Sequence, residues 1–181
     1  MLNIGVLISG GGTNLQAIID ETKSGGINGT VKIVISNKKN AYGLERARLS
    51  GIESVYETDE DRIIEILEEK NIDLIVLAGY LKIITPKFVD ELIRKYNTDV
   101  MTVTPSLMKI NYDNREPNSA LAMVKNMVFG GEPLSEKFVR DLKSLASDIT
   151  VYNIYGPSEI TVLCNVQNLD GEKEINIGPP I

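Results

Sequence analysis

Apolar residues follow two periods along this chain. Short apolar runs, "LNIGVLI" (2–8), "TVKIVISN" (30–37) and "DLIVLAG" (73–79), alternate with stretches in which apolar residues recur every three or four positions. The runs predict strands and the spaced stretches predict amphipathic helices. "DLIVLAG" is unbroken, the type buried on both faces of a parallel sheet. Leu15, Ile18 and Ile19 predict a helix over "LQAIIDETKSGG", stopped by Gly25 and Gly26. "YGLERARLSG" (42–51) predicts a helix closed by Gly51, and "IESVYE" (52–57) a short strand. "TDEDRIIEILEEKN" (58–71) predicts a helix with Thr58 or Asp59 as cap and Ile63, Ile66 and Leu67 on one face.

The alternation continues to the end. "TPKFVDELIRKYN" (85–97) predicts a helix with Pro86 at its first position, followed by a strand over "DVMTVT" (99–104). "PNSALAMVKN" (117–126) is a weak helix, "MVFGGE" (127–132) a strand running into a turn, "LSEKFVRDLKSLA" (134–146) a helix and "ITVYNIYG" (149–156) a strand. The tail is β-rich, with a turn at Asp170–Gly171. The fold class expected is α/β: a doubly wound, mainly parallel sheet with helices on both faces and a small β-rich tail. One domain over residues 1–181 is expected, with one continuous, mainly parallel sheet over residues 1–160. The ending "GPPI", with no capping element after it, is what a piece cut from something larger would show.

Composition removes several functions. The net charge of −6 argues against a nucleic-acid partner, which needs surplus Lys and Arg. No apolar run is long enough for a bilayer, and no signal-peptide layout opens the chain, so no membrane partner is expected. A single cysteine, Cys164, allows no internal disulfide; with no disulfide-linked partner expected, it suits a cytoplasmic location. The chain has no histidine, which removes an imidazole base and a thiolate–imidazole metal site. No cofactor or metal is expected.

"ISGGGTNLQAII" places glycines between a strand and a helix start. The unpaired N–H groups of a first helical turn face an anion well. A tight turn capped by Thr13 or Asn14 would read the same way. The stretches "MLNIGVLISGGGTNLQAIID", "SNKKNAYGLERA" and "DLIVLAGYLKIITPKFV" together resemble the glycinamide ribonucleotide transformylases, over residues 1–89. Those enzymes move a formyl group from 10-formyltetrahydrofolate to a ribonucleotide amine. The resemblance implies that Gly12, Thr13 and Asn14 hold a substrate phosphate. It also implies that Leu81, Lys82, Ile83 and Ile84 line a folate pocket, mainly through backbone groups.

That family carries a motif like "NIHPSL" on the next strand, where this chain has "TVTPSL". Thr102 stands for the Asn and Thr104 for the His. Threonine is no base near neutral pH and offers one donor where formyl transfer needs more. The family's downstream Asp is also missing, so no catalytic residue is assigned.

From residue 90 onward, "DVMTVTPSLMKI", "NMVFGGEPLSEKFV", "VYNIYGPSEITV" and "INIGPPI" resemble the adenylation domains of nonribosomal peptide synthetases. "FGGEP" alone would be a strand-ending turn and "YGPSE" alone a loop; their order carries the resemblance. It implies that Gly130, Gly131 and Tyr155 border a nucleotide and that Glu159 lies near its phosphates. It implies an amino-acid pocket of Thr102, Val128, Gly130, Ile154 and Val162. The family's triphosphate loop, ammonium anchor and catalytic lysine are absent.

The reading expected is therefore a catalytically inactive chimera, residues 1–89 from one family and 90–181 from the other, binding a small anion or phosphorylated ligand weakly. Two alternatives stand beside it. One is a 10-formyltetrahydrofolate-dependent formyltransferase of purine biosynthesis. The other is a module that docks a carrier protein or synthetase domain.

Overall fold

The computed structural model describes residues 1–112, 120–156, 165–171 and 174–180. The chain divides into two compact units, Met1–Ile84 and Thr85–Ile181.

The first unit runs β1 (Leu2–Ile8), α1 (Thr13–Ser24), β2 (Gly29–Ser36), α2 (Tyr42–Leu49), β3 (Glu53–Tyr56), α3 (Glu60–Glu69) and β4 (Leu74–Leu77). Its sheet has the order β3-β2-β1-β4, and every pair is parallel. Alternation along β1 serves both faces. Ile4, Val6 and Ile8 join Leu15 and Ile19 of α1 and Ala47 of α2 in one buried cluster. Gly5 points the other way, where a Cβ would stand 2.8 Å from Leu67 of α3. Helices therefore cover both faces, and β1 reads as an unbroken apolar run because it sits at the centre of this unit.

The second unit runs α4 (Pro86–Tyr96), β5 (Val100–Val103), α5 (Pro105–Tyr112), a short 3-10 helix (Ala120–Met123), β6 (Asn126–Phe129), α6 (Glu136–Leu145), β7 (Thr150–Tyr155) and β8 (Asn165–Asn168). Its sheet has the order β5-β6-β7-β8, with the first three strands parallel and β8 antiparallel. Met127, Phe129 and Val151 are buried, and Phe129 meets Phe138 of α6 edge-on at 5.3 Å. The β-rich tail is β8 plus a bridge between Asn165 and Pro180.

The doubly wound, mainly parallel α/β architecture is the one expected. The single continuous sheet is not. Among the described residues the strands form two sheets of four, with β4 paired to β1 and β5 to β6. Periodicity identifies a strand and its faces, but carries no information on its lateral neighbour. "DLIVLAG" is corrected for the same reason: β4 is an edge strand, and Leu74 and Leu77 are exposed. The weak helix over 117–126 reduces to the 3-10 turn, and residues 117–119 lie outside the described residues. Helix α5 follows directly on the strand expected over 99–104, where the sequence pattern predicts no helix. Pro105 starts it, as proline does at a first helical position.

Gly43 of α2 packs against the loop after β1. A Cβ there would collide with Ile8 and stand 3.3 Å from the Gly10 carbonyl oxygen. Gly43→Ala is expected to destabilise the first unit by about 1–3 kcal/mol in urea denaturation, the usual result of overpacking. Gly10→Ala faces open space and should fall within about 0.5 kcal/mol of the parent. Equal effects at both positions would contradict the packing described.

Candidate functional site

In the first unit, β2 and β3 lie on one side of β1 and β4 lies on the other. The direction of winding reverses between β1 and β4. Loops leaving parallel strands diverge at such a point and open a crevice at the carboxyl ends of the strands. The glycine loop leaves β1 there, and residues 78–84 leave β4 beside it.

Three consecutive carbonyls of the glycine loop are engaged. That of Gly10 accepts from the Gly43 N–H at 3.0 Å, and that of Gly12 from the Gln16 N–H at 2.9 Å. The Gly11 carbonyl accepts from Arg46 Nε at 2.8 Å. In a trans peptide the next N–H points opposite to the carbonyl. The N–H groups of Gly11 and Gly12 are thus turned away from α2 and Arg46. Gly12 adopts φ 73 and ψ 33, a left-handed conformation that glycine enters without penalty, and the right-handed helix follows at Thr13. Successive N–H groups in this arrangement form a concave anion nest.

Gly12 is the N-cap of α1, and no side chain caps the helix. The alternative in which Thr13 or Asn14 caps the turn is therefore corrected; both are exposed at the helix start. The contrast with the other helices is informative. Asp59, Thr85 and Ser135 cap α3, α4 and α6 with their side chains. Helix α2 gives its Gly43 N–H to the Gly10 carbonyl. Among the described residues, α1 alone keeps an open amino end. Next to the glycine loop lies an open cavity of about 500 Å³, lined by Ser9, Gly10, Gly11, Lys38, Lys39 and Tyr42 among others; Gly12, Thr13 and Asn14 do not line it. The two lysines and Arg46 add positive charge to this region, and Arg46 is held 5.1 Å over the Tyr42 ring.

Of the expected folate-facing residues, Leu81 and Ile83 are exposed and Ile84 is buried. Lys82 Nζ donates to the Thr58 carbonyl at 2.7 Å and lies 3.7 Å from Glu60. Burial, then the Glu60 carboxylate, pushes the Tyr80 hydroxyl above its ordinary range. The loops after β1 and β4 meet at Ser9, a residue that the motif reading passed over. Its signal was present: a polar residue closing an apolar run is buried and needs partners.

In the second unit, Gly131, Ile154 and Tyr155 line a cavity of about 420 Å³ with Glu132, Asn153 and Asn176. Ile154 lies over Gly130, where a Cβ would strike it. Thr102 and Val128 are register partners on β5 and β6 and do not line that cavity. Of the residues expected to form an amino-acid pocket, that cavity takes in Ile154 alone among the described ones. Glu159 and Val162 lie outside the described residues.

Thr104 is a helix cap. Its hydroxyl accepts from the Leu107 N–H at 3.3 Å. Glu132 completes the start of α5: its carboxylate accepts from Ser106 Oγ at 2.5 Å and from the Ser106 N–H at 2.9 Å. Those bonds, the hydroxyl first, hold the Glu132 carboxyl below its ordinary range. No helix of the described residues is long and apolar enough to cross a membrane.

A formyl transferase family model matches residues 2–109, and an AMP-binding enzyme model matches residues 72–181. The chain is similar to the phosphoribosylglycinamide formyltransferase of Escherichia coli, with 43% identity over 116 residues, 59% of this chain and 53% of that protein. The Haemophilus influenzae counterpart is 46% identical over 118 residues, 60% of this chain and 53% of that protein. The human trifunctional purine biosynthetic protein adenosine-3 is 38% identical over 114 residues, 58% of this chain and 11% of that protein. Among solved structures, glycinamide ribonucleotide transformylase 1 of Symbiobacterium toebii has 44% identity and a TM-score of 0.44, covering 45% of this chain and 43% of that one. The phosphoribosylglycinamide formyltransferase of Anaplasma phagocytophilum has 36% identity and a TM-score of 0.49, covering 50% and 46%. The chain spans about half the length of the bacterial relatives it matches. The family match over residues 2–109 and the curated relatives bear out the first-half resemblance. They overturn the reading of the chain as a catalytically inactive chimera and favour the formyltransferase alternative set beside it.

The Glu132 contact carries a pH signature. A carboxyl whose folded pKa is depressed contributes stability above its unfolded pKa, and that contribution is lost as pH falls through the folded value. The melting difference between the parent and Glu132→Gln should therefore be largest near neutral pH and shrink below the ordinary carboxylate range. A difference independent of pH would show that the contact is not formed.

Proposed function

Because the chain belongs to the formyl transferase family over residues 2–109, we propose that its first unit binds a phosphorylated ribonucleotide amine and presents it for formyl transfer from a reduced folate. The observation that carries this is the open amino end of α1, preceded by the left-handed Gly12. In this reading a phosphate rests on the N–H groups of Gly11 to Asn14, with Lys38 and Lys39 supplying longer-range attraction. The folate lies against the loop after β4, Leu81 to Ile84, whose two exposed apolar side chains give it a surface.

The proposed transfer balances simply. The amine nitrogen attacks the formyl carbon, an oxyanion forms and collapses, and the bond to the folate nitrogen breaks. The proton lost by the amine ends on that leaving nitrogen. No histidine is available in these residues to relay it. Positioning then carries most of the rate, without the imidazole that most often supplies general acid–base help of about 10²–10⁴-fold. The cytoplasmic setting expected from the lone cysteine belongs to the same proposal.

The second unit supports a further ligand reading. Its cavity at Gly131, Asn153 and Tyr155, with the AMP-binding enzyme match, favours a purine nucleotide there.

Formyl transfer to phosphoribosylglycinamide from 10-formyltetrahydrofolate tests the main reading. Slow turnover is expected, following ionisation of the substrate amine and showing no enzyme inflection in the imidazole range. Gly12→Ala, strained at φ 73 and 2.7 Å from the Gly43 Cα, should abolish it. No product above buffer in protein free of host enzymes would refute the reading.

A further inference from the structure

Ser9 is a buried polar residue, 8% exposed, at the end of β1. Its backbone N–H donates to the Gly79 carbonyl at 3.1 Å. Its hydroxyl oxygen accepts from the Leu81 N–H at 2.8 Å. The hydroxyl proton is therefore directed to its other partner, Asn37 Oδ1, at 2.6 Å. These bonds form a directed chain from the β4 loop through Ser9 to the loop after β2, and bonds in such a chain polarise one another.

The flanks of that turn are lightly packed. Gly79 has φ 74 with nothing within 4 Å of where a Cβ would stand, and the Leu81 side chain is 82% exposed. Two backbone groups of the turn close on Ser9, and the next residue begins the glycine loop. A pull on the glycine loop must therefore shift Ser9 against the β4 loop. We propose that Ser9 is a positioning residue that couples ligand binding at the open end of α1 to ligand binding at the loop after β4, through the hydrogen-bonded chain Leu81–Ser9–Asn37. The inference rests on the function proposed above and adds a linkage between its two subsites.

The test is a binding cycle on the full chain. Phosphoribosylglycinamide and 5-formyltetrahydrofolate are each titrated calorimetrically, alone and with the other saturating. In the parent each ligand should tighten the other by the same factor, about fivefold or more, since coupling of binding is reciprocal. In Ser9→Ala each ligand should still bind alone while the factor falls to near one, and Ser9→Thr, which keeps the hydroxyl, should restore it. Asn37→Ala removes only the far acceptor and should lower the factor partway; it decides the matter if Ser9→Ala does not fold. Both ligands binding the parent independently, or full coupling persisting in Asn37→Ala and Ser9→Ala, would overturn the role of Ser9 while leaving the site intact. Failure of the parent to bind either ligand would instead remove the site itself, and this inference with it.

Discussion

The close approach of Gly12 and Gly43 is the constraint on which the first unit's site depends. A Cβ on Gly12 would stand 2.7 Å from the Gly43 Cα, so only glycine lets the loop after β1 lie against the start of α2. That contact brings the Gly43 N–H to the Gly10 carbonyl and Arg46 to the Gly11 carbonyl. With those carbonyls engaged, peptide planarity turns the following N–H groups outward. The anion nest is thus a consequence of packing between two helices, already arranged before any ligand arrives. Preorganisation of this kind lowers the cost of binding without adding a contact.

The same physics has opposite outcomes in the two units. At α5 the helix start is filled from within: Thr104 caps it, and the Glu132 carboxylate takes the hydroxyl and N–H of Ser106. An anion supplied by the chain itself occupies the place where a ligand would sit. At α1 no side chain intervenes, and nearby lysines face a cavity. The second sheet also runs β5 to β8 in chain order, without the reversal that opens a crevice between β1 and β4. Both arguments favour the first unit for the phosphate-type site proposed above.

Much of this was legible in the sequence where the signal was local. Asp59, Pro86, Gly51 and the apolar face of Ile63, Ile66 and Leu67 all took the positions that capping rules and helical spacing assign them. Gly12, Thr13 and Asn14 could be placed at a helix start because a glycine run between a strand and a helix constrains the backbone itself. What stayed hidden was non-local. Whether β4 pairs with β5 depends on strand edges, which side-chain alternation does not encode. Ser9 shows in the sequence only as a polar residue closing an apolar run; its partners Asn37 and Leu81 are distant in the chain and stay unseen. Helix α5 was missed because Pro105 can end a strand as readily as begin a helix. The threonines at 102 and 104 point away from catalysis, whereas the similarity of the whole first half points toward formyl transfer.

The central claim is that the open end of α1 is a formed anion site. Titrating inorganic phosphate into isotopically labelled protein, with backbone amide resonances followed by NMR, tests it most directly. The account predicts saturable shifts led by the amides of Gly11 to Leu15, at millimolar concentrations corresponding to about 4 kcal/mol. Amides of that segment remaining still while others move would contradict it.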